Sequence, residues 1–133
     1  MERHRTPVVD DTSPATHRPP RSWERLAEEF PAVVAAYDAL SEVCREAGPL
    51  DPATVALVKL AVSVGRGSSR TVHAHAKKAL RAGADPDALR QIALVALPTI
   101  GLPAALDALR WVDESICEDS PPELLALTVD PPV

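Results

Sequence analysis

Residues 50–110 read LDPATVALVKLAVSVGRGSSRTVHAHAKKALRAGADPDALRQIALVALPTIGLPAALDALR, and the punctuation of this stretch decides the fold. Asp51-Pro52 and Asp85-Pro86 are helix starts: an aspartate oxygen accepts from the free N–H groups of a first turn, and proline gives up no hydrogen bond at the first helical position. Gly83 is a matching stop, ending the helix before Asp85. Between these marks Ala and Leu recur at helical spacing, with few strong β-formers in alternation, so the whole stretch reads as all-α. A helix over PATVALVKLAVSVG is apolar almost all round, which predicts a central, buried element. A second covers about 69–81. A third begins at Pro86 and carries Leu89, Ile92, Ala93 and Ala96 on one stripe, with Leu94, Val95 and Leu97 spilling onto another; that surplus predicts a subunit contact. The last opens at Leu102-Pro103 and runs through Asp107, Leu109 and Trp111 to about Cys117.

Upstream, a helical pattern over 22–47 carries Val33, Val34, Tyr37, Leu40 and Cys44, and Pro31 splits it into a short leading helix and a longer one ended by Gly48-Pro49. Beyond the helical region the composition changes. Eight of the 14 prolines (Pro7, Pro14, Pro19, Pro20, Pro121, Pro122, Pro131 and Pro132) fall near the two ends, which predicts an extended or disordered arm over 1–21 and a Pro-rich acidic tail over 119–133, with a short helical turn around Glu123–Leu127. One helical domain over 22–118 suits a chain of 133 residues, 46% of them hydrophobic.

The net charge of −5 argues against nucleic acid as a partner, because such affinity rests on many phosphate contacts. No long apolar run argues for a membrane span or a secretory signal, so a cytoplasmic protein is expected. Cys44 and Cys117 lie far apart and outside any CxxC, which supports neither a disulfide framework nor a cysteine metal site.

The order and spacing of the LDP start, Gly67 followed by His75, Gly83 and the GLPAALDALR ending resemble the carboxymuconolactone decarboxylase and alkylhydroperoxidase D-like superfamily, and PAVVAAYDALSEVCREAG fits the helix before it. The resemblance implies an all-helical domain of five to six helices that assembles as a trimer or hexamer. It also implies where reactive groups would stand. Peroxidatic members use a Glu, a CxxC pair and a His; those positions here hold Ala56, Ser68, Thr71 and His75. Hydroxyls cannot cycle through sulfenic acid and disulfide, so thiol peroxidase chemistry is not expected. Members resembling the decarboxylase branch carry acidic residues shortly before the histidine, where this chain has Arg70 and Thr71.

At 100° per residue, Val72, Ala76, Ala79 and Leu80 form the inner stripe of the 69–81 helix, with His75 to one side and Ser68 and Thr71 near it. His75 reads either as a general acid or base, since imidazole titrates near neutrality, or as a helix-flank histidine satisfied by a neighbouring oxygen. Ala56, Lys59 and Ser63 share a face of the preceding helix. Lys59 is either a desolvated catalytic or charge-holding group, or an amine snorkelling from the core to water. Ser68 and Thr71 are binding candidates or helix-end hydrogen-bond partners. His73 and His75 point about 200° apart and cannot share one metal ion; no metal site and no cofactor are expected, and His73 belongs to the opposite flank, as a surface or subunit-contact residue.

From Lys59 to Arg81 there are basic residues (Lys59, Arg66, Arg70, Lys77, Lys78, Arg81) and no acidic one. This is a field that draws a small anion toward His75, or a solvated face; for Arg70, Lys77 and Arg81 the solvated face, or pairing with a neighbouring subunit, is the expectation. Trp111 and Tyr37 are candidate pocket walls or simple core. Together these residues predict a protein acting on a small anionic or carbonyl-bearing metabolite by cofactor-free proton transfer: decarboxylation, isomerisation or lactone turnover. His75 would be acid or base, Lys59 its charge partner, and Ser63, Arg66, Ser68, Thr71 and Trp111 binding residues. The alternative is a catalytically silent oligomeric scaffold or binding protein whose C-terminal tail docks on a protein partner.

Overall fold

A computed structural model of the chain describes residues 21–120, so both expected tails, and the turn around Glu123–Leu127, lie outside the described residues. The described chain is helical, with no strand: α1 (Arg21–Glu29), α2 (Pro31–Glu46), α3 (Pro52–Arg66), α4 (Ser69–Arg81), α5 (Pro86–Ile100) and α6 (Leu102–Asp119). The chain divides into two compact units, the first ending at Cys44 near the end of α2 and the second beginning at Arg45.

In the first unit the break at Phe30 has a simple cause. Pro31 has no N–H to donate, and it disfavours helical geometry in the residue before it. The Phe30 N–H still donates to the Leu26 carbonyl at 2.8 Å, and the Val33 N–H donates back to Phe30 at 3.0 Å, so the two helices meet without wasting the junction. Trp23 on α1 and Tyr37 on α2 meet edge to face, centroids 5.5 Å apart, and Arg25 pairs with Glu29 one turn along α1. Tyr37 stays more than half exposed.

The second unit is a four-helix arrangement in which α3 packs on α4 and α5, and α6 packs on the same two. The order around the bundle is therefore α3, α4, α6, α5, and α4 stands between α3 and α6. Each helix sends a narrow stripe inward: Leu60 and Val64, Val72, Ala76 and Ala79, Leu89 and Ala93, Ala108 and Val112. Alanine supplies much of this core, and small side chains allow close approach of the helices.

Both Asp-Pro starts are realised. Asp51 Oδ1 accepts from the Thr54 N–H at 2.7 Å and Asp85 Oδ1 from the Asp87 N–H at 2.8 Å. The hydrogen bonds from Thr54 hold the Asp51 carboxyl below its ordinary pKa. Gly67 takes the left-handed conformation (φ 69°), and its N–H reaches the carbonyls of Ser63 and Val64. Ser68 then begins the next helix, so only two residues separate α3 from α4.

One expectation needs correction. Helix α3 is not central: Val58 and Val62 are 48% and 61% exposed. In a bundle of four every helix occupies a corner, and only the stripe aimed at the axis is covered, however apolar the other faces. The surplus on α5 is real, with Leu94 and Val95 exposed while Leu89 and Ala93 are fully buried.

Candidate functional site

The site is built by the two flanks of α4. Residues two apart on a helix diverge, and His73 and His75 do so here. His73 turns to α6: its Nε2 lies 2.9 Å from Glu114 Oε2, and its Nδ1 lies 2.8 Å from the Ser69 carbonyl. Both partner oxygens only accept, so the two contacts are made together when both ring nitrogens carry a proton. One turn on, Lys77 Nζ pairs with Glu118 Oε2 at 2.6 Å, and this bond holds the Glu118 carboxyl below its ordinary value. Lys77 is thus neither solvated nor kept for another subunit. Its partner is far off in sequence, and the register of α6 against α4 supplies it.

The other flank holds His75, half-buried between the core stripe and solvent. Burial lowers its pKa from 6.5, and the ammonium groups of Lys78 and Lys59 lower it further. Lys59 on α3 therefore lies within electrostatic reach of His75 on α4, as their shared flank requires. The imidazole is held neutral at pH 7. Neither ring nitrogen is hydrogen-bonded to a described residue, and no buried side-chain polar atom among those residues lacks a partner. The His75 nitrogens consequently reach solvent and are free to meet a ligand. Lys59 and Lys78 have no carboxylate partner among the described residues either.

The remaining candidates fall into separate roles. Ser68 caps α4, its Oγ 3.5 Å from the Thr71 N–H, and Thr71 Oγ1 donates to the Ser68 carbonyl at 3.2 Å. Their hydroxyls are engaged in starting the helix that carries His75. Ser63 is buried and donates to the Lys59 carbonyl at 3.0 Å. Ala56 packs against the core. Arg66 is exposed in the last turn of α3. Trp111 is on α6, half-buried against the core, with the Arg110 guanidinium 5.9 Å from its ring centre. Lys78 stands in a basic run that by itself assigns it no role; its spacing from His75 is the signal, since residues three apart are helix neighbours.

A shallow, open groove of about 490 Å³ runs along α6, lined by Leu106, Leu109, Arg110, Asp113, Glu114 and Cys117. Its charged groups are already matched: Arg110 with Asp107 and Glu114, Asp113 with Arg90, Glu114 with His73. Cys44 and Cys117 are both free and exposed. Among the described residues no three His, Cys, Asp or Glu side chains gather as metal ligands, and no helix is long and apolar enough to cross a membrane.

The described chain is thus an all-α bundle carrying a half-buried histidine beside two lysines. The carboxymuconolactone decarboxylase family matches residues 31–114, well over half the chain, and the chain belongs to that family. No curated protein and no solved structure matches it.

Proposed function

We propose that the protein acts on a small anionic or carbonyl-bearing metabolite by cofactor-free proton transfer, with His75 as general acid and base and Lys59 as its charge partner. The observation that carries this reading is the His75 imidazole: half-buried, unbonded, and held neutral by burial and by the charges of Lys78 and Lys59. A neutral imidazole accepts a proton from a carbon next to a carbonyl, and the electron pair left behind moves onto the carbonyl oxygen. The Lys59 ammonium meets that developing negative charge. The imidazolium, made more acidic by the same surroundings, then returns the proton to another atom of the substrate. Isomerisation follows from this cycle, and so does eliminative lactone opening where the ring C–O bond lies β to the deprotonated carbon: the electron pair forms the new C=C bond and expels the ring oxygen as a carboxylate. In decarboxylation the bond to the carboxylate breaks first, carbon dioxide leaves, the electron pair passes onto the carbonyl oxygen, and a proton drawn from solvent through His75 is delivered to the carbon.

Peroxide reduction through thiols is not part of the proposal, because Ser68 and Thr71 stand at the cysteine positions and are engaged in capping α4. A catalytically silent assembly is the second reading, favoured by the exposed Val58, Val62, Leu94 and Val95. The deciding experiment is a thermal-shift screen of small carboxylates and lactones, since binding to the native state raises the melting temperature by mass action. The expected result is stabilisation of the wild type that His75→Ala abolishes. A screen flat for both proteins defeats the catalytic reading and leaves the assembly.

A further inference from the structure

We propose that Lys78 is a specificity-determining residue of the His75 site, its ammonium and that of Lys59 together holding one oxyanion of the substrate against the imidazole. The proposal deepens the reading above and rests on it. Lys78 stands three residues from His75 on α4, a spacing that brings two side chains to one strip of helix surface. Lys59 stands on α3, the helix packed against α4, and its charge bears on the same imidazole. Two ammonium groups thus act on one neutral base, and neither has a carboxylate partner among the described residues.

The adjacent residue shows that this is a property of the flank and not of lysines on α4 in general. Lys77 is tied to Glu118 at 2.6 Å, and His73 beside it to Glu114. The acidic residues of α6 serve that side. Arg66, Arg70 and Arg81 are also exposed cations, but it is Lys78 and Lys59 whose charges bear on His75.

Like charges around a base with no counter-ion carry a cost that an arriving anion relieves. An oxyanion seated between the two ammonium groups offsets the repulsion that disfavours imidazolium. The base therefore strengthens as the anion binds, and the protein takes up a proton with it. A neutral substrate of the same shape gains neither the attraction nor the stronger base.

The test follows the His75 ring resonances by NMR in the full chain, titrated with succinate, inorganic phosphate and, as the uncharged control, dimethyl succinate. Succinate or phosphate should shift the His75 signals saturably and raise the pH at which the ring titrates, and dimethyl succinate should do neither; the stronger of the two anions identifies the oxyanion as carboxylate or phosphate. Lys78→Gln, an exposed change whose folding is checked by circular dichroism, should weaken anion binding about fivefold, the scale of one exposed charge pair, and raise the ring's titration point in the free protein. Lys77→Gln should leave both unchanged. If Lys78→Gln binds succinate and phosphate as the wild type does while Lys59→Gln does not, the assignment to Lys78 falls and the His75 reading stands. If neither anion moves His75 in the wild type, the anion site falls altogether.

Discussion

Helix α4 presents a histidine and a lysine to each side, and the two sides meet different company. Toward α6, His73 and Lys77 find Glu114 and Glu118, spaced one turn apart to match them. On the other flank, His75 and Lys78 meet Lys59 and no carboxylate among the described residues. The first flank is a fastening and the second is an unfilled electrostatic demand. Residue type alone therefore says little about role in this helix. What separates the two histidines is whether the neighbouring helix brings an opposite charge.

The comparison can be broken most forcefully through catalysis. Once the screen supplies a substrate, His75→Ala should lower turnover by about a hundredfold or more, the usual worth of a positioned general base, while His73→Ala should stay within about threefold of the wild type. Equal losses in steady-state assays would erase the distinction. A second test asks whether both flanks depend on the same core. Leu60 is fully buried on α3, and Leu60→Ala should cost about 2–5 kcal/mol in urea unfolding, because the cavity cannot close completely. The same variant should also disturb His75, whose position relies on α3 lying against α4.

Breaking the fastened flank should cost far less. Glu114 and Glu118 are 43% and 56% exposed at their side chains, so the Glu114→Gln and Glu118→Gln changes should each lower stability by no more than about 1 kcal/mol, less at high salt. The smallest effect is a pH slope. His75 has a folded pKa below 6.5, so as pH falls from about 6.5 the unfolded chain binds the proton more readily and stability declines. Glu118, with its pKa lowered from 4.5, adds stability that is present above that value and lost only in more acidic solution. Urea midpoints at pH 7 and 5.5 should therefore differ in the wild type and converge in His75→Gln.

Much of the architecture was legible before any coordinates. Asp51-Pro52, Asp85-Pro86 and Gly83 each act within a few residues of themselves, and the helices begin and end where they direct. The divergence of His73 and His75 follows from helical pitch alone. The exposure of Val58 and Val62 was not legible, because it depends on how many helices surround α3 and not on the helix's own pattern. Nor was the partner of Lys77: Glu118 meets it through the register of two helices distant in sequence. Lys78 was within reach of local reasoning, but its importance appears only when its neighbour proves to be neutralised and it does not.

The junction at Gly67 and Ser68 has a further consequence. His75 and Lys59 belong to one helical hairpin with a two-residue turn, so their meeting closes a short loop and asks little of chain entropy. Contacts so local favour rapid formation. The His75 corner is thus expected to take shape as soon as α3 and α4 pair, whereas the ion pairs to α6 wait for a distant segment to arrive. In pulse-labelling hydrogen exchange, amides of the hairpin should gain protection before those of α6, so that the imidazole of residue 75 would find its neighbours ahead of the brace on the far side.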